Sequence, residues 1–328
     1  MDFFPLDERW HLTDSVYSEA LARQMVWLSA LLPYEQCEAV FERIAQVHIP
    51  RSSIWRQTQY YGEKLQAQVE ESQAHVKVER VSLPPACHDH SQQKGISLDG
   101  GMVNIRGEGW KEFKLGAIFD VEQRLERDPQ TRERVERPHA MNIAYRAVLG
   151  SVEQFAPAIW ALAVEQDLPT AKDSSVTSDG AEWIWNVVAD YFPMSTQIID
   201  WYHATQRLAL AAKALFPSDE TRSTRWFKAR CDDLFQGQIW IITQALDAQG
   251  LTEHSHYFHV HQRRMQYLAF QEQGYPLGSG TVESGIKQFK ARLTGAGMRW
   301  DRTAAQQMLI IRASVLDGHF DQLWQMAA

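Results

Sequence analysis

The sequence predicts an α/β protein in which a mixed sheet is flanked by helices, with an all-α insertion and an N-terminal helical region. Three observations predict it. Alternating apolar residues cluster between about residues 95 and 121, short apolar runs at Val176 and Ile198-Ile199 are separated by a helical pattern, and the chain from Tyr202 onward is helical in pattern almost throughout. With 328 residues, 45% of them hydrophobic, and 12 Trp, the chain is long enough to bury one large core or two smaller ones.

From Tyr34 to Leu65 the pattern reads as two short helices about a tight connection. Val40, Phe41 and Ile44 supply the apolar stripe of the first, Ile49-Pro50 breaks it, and Ser52 or Ser53 can cap the second. Such a pair resembles a helix-turn-helix, which would turn Arg51, Arg56, Gln57 and Gln59 toward DNA and Ile54 and Trp55 inward; a helical hairpin with no DNA role fits the same pattern. The polar run after Leu65 reads as a helical extension into a linker closed by Pro84-Pro85. The resulting domain division is 1–90 for the N-terminal region, 91–205 with 275–328 for the core, and 206–274 for the insertion.

GISLDGGMVNIRG predicts a strand ending at Asp99, a turn at Gly100-Gly101 and a second strand over Met102–Ile105. WKEFKLGAIFDVE places Phe113, Leu115, Ala117, Phe119 and Val121 on one face of a third. A helix is expected from about Asn142 to Glu165, kinked or divided at Pro157. Then come a strand into Asp179, a helix bearing Trp183, Val187 and Val188, and a strand into Asp200. Helices are expected over Tyr202–Leu215, Arg222–Ala248, a His-rich stretch to Gln273, Thr281–Leu293 and Thr303–Leu316.

Three antiparallel strands, helix, strand, helix, strand, then helices is the succession of an RNase H-like fold. Three acids fall at its functional stations: Asp99 on the first strand, Asp179 just after the fourth and Glu283 on a late helix. Paired divalent ions held by carboxylates stabilise both the attacking and the leaving oxygen of a phosphodiester. Singly, each acid has an ordinary reading: a turn at Asp99, a helix cap at Asp179, a favourable dipole partner at Glu283 with Lys287 at i+4.

Net charge is −8, yet Lys287, Lys290, Arg292, Arg299, Arg302 and Arg312 face only Asp301 directly after the third acid, and Arg222, Arg225, Lys228 and Arg230 form a second group. Either cluster is also ordinary helix-surface charge. Trp183, Trp185, Trp201, Trp240 and Trp300 could stack on bases, although core packing is the commoner fate of tryptophan; Trp300, between Arg299 and Arg302, is the best candidate. Cys37, Cys87 and Cys231 suit free thiols in a reducing compartment and have no zinc spacing. His254, His256, His259 and His261 lack zinc-helix spacing and read as surface residues; Cys87, His88 and His90 lack a fourth ligand. No run suits a membrane span and no secretory leader is evident, so a cytoplasmic, nucleoid-associated protein is expected.

The stretches SLDGGMVNIRGEGWKEFKLGAIFD, TSDGAEWIW, IIDWYHATQRL, RRMQYL, PLGSGTVESGIKQFKARLTGAGMRW and FDQLW together resemble a bacterial insertion-sequence transposase of the DDE class, ISKra-type group, over most of residues 95 to 324. The resemblance implies DNA strand cleavage and strand transfer dependent on two Mg²⁺ ions, with Mn²⁺ as a substitute. It implies element ends and target DNA as partners, and a homo-oligomer on DNA. Carried over, Asp99, Asp179 and Glu283 are the metal-binding catalytic acids, and Asp200 and His203 match an accessory Asp-x-x-His motif, for which positioning of the ligands is the favoured role. Lys287, Lys290, Arg292, Arg299, Trp300 and Arg302, with Arg51 and Arg56, are the expected DNA contacts. Related chains commonly carry a further N-terminal segment before the region matched by FPLDERWHL. A domesticated, catalytically silent DNA-binding derivative and a stand-alone RNase H-like nuclease therefore stand as alternatives.

Overall fold

The computed structural model describes residues 17–79, 93–128 and 132–327; Cys87, His88 and His90 lie outside them. Helix α1 (Glu19–Leu31) starts at Ser18, whose hydroxyl oxygen accepts a hydrogen bond from the Leu21 N–H at 3.4 Å. Helix α2 (Tyr34–Val40) runs into a π turn over Phe41–Ala45 that ends on Gln46 in the left-handed region, φ 58°. The expected break at Ile49-Pro50 is there, and the helix beyond it runs on through the expected extension after Leu65 as one element of 29 residues, α3 (Arg51–Glu79). Its buried stripe is Ile54, Thr58, Tyr61 and Leu65, spaced i, i+4, i+7, i+11. Trp55 lies about 100° round the helix from Ile54 and is 48% exposed, and Ile44 is 77% exposed, so neither packs inward as expected.

The sheet has five strands in the order β3-β2-β1-β4-β5: β1 (Gln93–Ile105), β2 (Gly109–Arg127), β3 (Arg134–Val148), β4 (Asp173–Ser178) and β5 (Thr196–Ile199). The first three are antiparallel neighbours, while β4 runs parallel to β1 and β5 parallel to β4. Two expectations fail here. Gly100-Gly101 is no turn but lies within a continuous β1, opposite Lys114 and Phe113, because a β-carbon at Gly101 would stand 2.3 Å from the Phe113 ring. The chain instead reverses at Arg106–Glu108, beside Gly107 and Gly109 at φ 79° and 76°. Residues 142–148 are the end of β3 and not a helix; Asn142, at φ 49°, sits where the β2–β3 register shifts and donates to Asp120 at 2.8 Å. Helix α4 (Val152–Glu165) begins only after the Ser151/Gln154 capping box and passes through Pro157 undivided.

Helix α5 (Glu182–Tyr191) joins β4 to β5. After β5 come α6 (Trp201–Leu215), α7 (Glu220–Phe235), α8 (Ile239–Asp247), α9 (Thr252–His261), α10 (Tyr267–Glu272), α11 (Gly280–Leu293), α12 (Arg302–Leu316) and α13 (Phe320–Ala327). The single helix expected over Arg222–Ala248 is split into α7 and α8, with Gly237 between them at φ 72°.

The sheet separates two apolar cores. On one face Ile96, Leu98 and Ile118 pack with α4, α5 and residues of the later helices, including Leu234, Ile242, Phe258 and Tyr267. On the other, the predicted row Phe113, Leu115, Ala117, Phe119 and Val121 packs against α11, α12 and α13, together with Val26 of α1 and Leu65 of α3. The N-terminal helices contribute to this core and also enclose a smaller one of their own, formed by Met25, Cys37, Phe41, Ile49 and Ile54.

Candidate metal centre

The parallel strands deliver three acids to one end of the sheet. Where β1–β4 pairing ends, Ser178 binds the neighbouring strands: its hydroxyl oxygen accepts from the Leu98 N–H at 2.9 Å and its carbonyl accepts from the Asp200 N–H at 2.9 Å. Asp99 follows Leu98 on β1, Asp179 follows Ser178 on β4, and Asp200 follows β5 as the N-cap of α6. Carboxyl ends of parallel strands are the usual place for a ligand in an open α/β sheet. Glu283 arrives from the first turn of α11, whose Ile286, Phe289 and Leu293 bury against the sheet as the sequence predicts.

Asp200 is the joint between these elements. It is 2% exposed. Oδ1 accepts from the His203 N–H at 2.8 Å and lies 3.1 Å from His203 Nδ1; Oδ2 accepts from the Ser279 N–H at 2.6 Å and the Ser279 hydroxyl at 3.0 Å. The same hydroxyl stands 3.0 Å from Glu283 Oε1, and its one proton can serve only one of the two carboxylates at a time. Asp200, His203 and Glu283 are the one group of three potential ligands that the described residues bring together, with ligand atoms within 4.8 Å of one another.

Asp99 and Asp179 lie on the adjoining strand ends but are not members of this group, so the expected set Asp99, Asp179 and Glu283 is not drawn together to the same 4.8 Å. Burial raises the Asp99 carboxyl above its usual range, and the charges of Asp179 and Glu283 raise it further, against the opposing pull of the Gly100 N–H and of His203. Each of the three acids is held by one oxygen: Asp99 Oδ1 by the Gly100 N–H at 2.6 Å, Asp179 Oδ1 by the Ala181 N–H at 2.9 Å, and Glu283 Oε1 by Ser279. The second oxygen of each takes no hydrogen bond from a described residue. That donor set fits a hard divalent cation, which binds oxygen. Asp200 is a candidate ligand by distance, but both its oxygens already accept main-chain N–H groups, from His203 and Ser279, and its geometry suits orienting His203 and Glu283.

No known protein family's profile matches the chain, and no curated protein matches it. The chemistry open to the acids therefore rests on their own geometry and on the cations around them.

The basic residues divide sharply. Lys287, Lys290 and Arg299 are exposed. Arg292 is not available to a phosphate: it is 1% exposed, its Nε donates to the Ser29 carbonyl at 2.6 Å, and its guanidinium lies between the rings of Tyr34 and Trp300, 5.2 and 5.0 Å from their centres. Arg312 is likewise buried, donating to the carbonyls of Ala30 at 2.7 Å and Gln288 at 3.1 Å. Trp300 is 8% exposed and donates from its ring to the Leu293 carbonyl, while its backbone pairs with Asn104 and Arg106 at the tip of β1; it has no free face for a base. Arg302 is at the surface but forked onto Glu108 at 3.0 and 2.6 Å.

Arg51 and Arg56 are exposed on α3; Arg51 is 4.0 Å from Glu35 and Arg56 donates to Ser53 at 3.2 Å. Neither belongs to the acidic centre. Of the other tryptophans, Trp185 is buried, Trp183 and Trp201 pack against the core, and Trp240 is exposed. In the His-rich helix α9, His256 and His259 are exposed as expected, but His261 is buried beside Arg264.

Sequence reasoning missed Ser279 and Tyr257. The signal for Ser279 was its place four residues before Glu283 at a helix start. Tyr257 carries no local signal: it comes from the distant helix α9 and lies against Gly180, where an added β-carbon would stand 2.8 Å from its ring.

Proposed function

We propose that this chain is a metal-dependent DNA strand-cleaving and strand-joining enzyme with an RNase H-like catalytic core, a transposase of the DDE class. The strand order β3-β2-β1-β4-β5, with β2 antiparallel and β4 parallel to β1, supports that fold assignment. The single observation that carries the reading is the placement of Asp99 and Asp179 directly after the Leu98–Ser178 hydrogen bond that joins β1 to β4, with Glu283 tied to the neighbouring Asp200 through the Ser279 hydroxyl. Asp99, Asp179 and Glu283 would hold Mg²⁺, which supplies the charge that stabilises an in-line displacement at phosphorus. His203, whose Nδ1 lies 3.1 Å from Asp200, adds a titratable imidazole beside Glu283. Lys287, one turn beyond Glu283, with Lys290 further along α11 and Arg299 beyond it, supplies exposed positive charge along which a phosphate backbone would run.

The test uses the full chain, a labelled duplex carrying the DNA that flanks its gene, and Mg²⁺ or Mn²⁺. The expected outcome is nicking followed by joined products, with Asp99→Ala and Glu283→Ala abolishing both while binding DNA as the unmodified chain does. Cleavage retained by either variant removes that residue from the centre, and DNA binding with no nicking by the unmodified chain overturns the enzymatic reading.

A further inference from the structure

Beside the acidic centre stands a cation that the proposed chemistry leaves unused. Arg207 lies on α6 one turn beyond His203, so the two side chains share a face of the helix. It is exposed and forms no ion pair among the described residues, although carboxylates crowd this end of the sheet. Its guanidinium carbon instead lies 5.3 Å from the centre of the Tyr257 ring. Stacking of this kind occupies the flat face of a guanidinium and leaves its in-plane N–H fork unspent.

Tyr257 is itself held from several sides. His261 meets its ring edge-on at 5.0 Å, Phe258 at 5.4 Å, and Gly180 approaches so closely that any larger residue would displace the ring. Its phenol is pushed up to about 12 by burial, with Arg207 opposing and the charges of Asp179 and Asp200 adding. An exposed arginine held against a packed ring, with no ion pair among the described residues, suits a planar or tetrahedral oxyanion. We infer that Arg207, positioned by Tyr257, is a phosphate-binding residue that grips the DNA backbone beside the acidic centre. The inference rests on the proposed DNA-cleaving function and adds the helix α6 face, and with it the otherwise distant helix α9, to the DNA path.

The experiment measures binding of the full chain to a fluorescein-labelled duplex of the gene-flanking DNA by anisotropy, in calcium buffer across a range of salt. Arg207→Ala is expected to weaken binding several-fold and to lower the slope of log K against log salt by about 0.9. Tyr257→Phe, which keeps the ring, is expected to bind as the unmodified chain does, and Tyr257→Ala to fall to the level of Arg207→Ala, with the double variant no weaker than either. A thermal melt of each variant separates loss of contact from loss of fold; Arg207 is exposed, so its variant reports even where Tyr257→Ala does not fold. Unchanged affinity and slope in Arg207→Ala, while Lys287→Ala weakens binding, overturns this inference alone. Equal loss in Tyr257→Phe and Tyr257→Ala overturns the role of the ring. Absence of salt-dependent binding by the unmodified chain overturns the proposed function and this inference with it.

Discussion

At the scale of single residues, Ser279 carries a disproportionate share of the arrangement, because one hydroxyl meets both Asp200 and Glu283. Ser279→Ala leaves the buried Asp200 one donor short, which should cost about 1–3 kcal/mol; urea unfolding measures that loss, and a slower cleavage rate at unchanged DNA affinity would show Glu283 released from its position. Gly101 makes a different demand. An alanine there would drive a methyl into the Phe113 ring, and overpacking of this kind costs about 1–3 kcal/mol, which the urea midpoint of Gly101→Ala would register. His261 makes stability depend on pH. Burial, then Arg264 and His256, lower it to about 4 from the usual 6.5, so between those values the unfolded chain takes a proton that the folded one refuses. Stability therefore falls as pH drops through that window, by up to about 3 kcal/mol, and thermal melts of His261→Gln should show a shallower fall than those of the unmodified chain.

At the scale of elements, α11 is the piece on which the centre turns. It approaches the sheet at Gly285, where a β-carbon would stand 2.8 Å from Tyr145 and 3.0 Å from Leu115, and its other end is tied through Arg292 to α1. Gly285→Ala should lift the helix and with it Glu283, lowering cleavage more than DNA binding. Arg292→Ala should cost about 2–3 kcal/mol in urea unfolding yet leave the salt dependence of DNA binding unchanged, since its charge faces carbonyls and rings and not solvent. Both elements were visible in the sequence to different degrees. The apolar row of β2 and the stripe Ile286, Phe289, Leu293 were legible because a single buried face imposes its period on the chain. The end of β3 was not, because Asn142 interrupts its alternation and Ala144, Arg146 and Ala147 suit a helix as well as a strand. Arg292 and Arg312 were misread for a related reason: charge says nothing of burial when the partners are main-chain carbonyls of residues 29 and 30, remote in sequence.

At the scale of the whole molecule, the core on the α11 side ties the two ends of the described chain together. The core on the α11 side draws on Ala22 and Val26 at one end and Phe320 and Trp324 at the other, with Trp324 stacked 4.1 Å from Tyr61. Deleting residues 1–79 should leave that apolar face bare, and the shortened protein is expected to be insoluble or to bind a hydrophobic dye strongly. The acids were legible as candidates because each follows an apolar strand or opens a helix; the joint that Asp200 makes between β5 and α11 was not, since its partner Ser279 lies 79 residues away. That joint, with the long reach of Arg292 and Arg312 back to α1, has a consequence for synthesis. A ribosome must release almost the entire polypeptide before Glu283 can meet its partners and the first helix can dock. Contacts between such remote segments form late and slowly. A nascent or truncated copy would thus carry every aspartate of the cluster and still lack Ser279 and Glu283, so the acidic centre is completed only when nearly the whole chain is made.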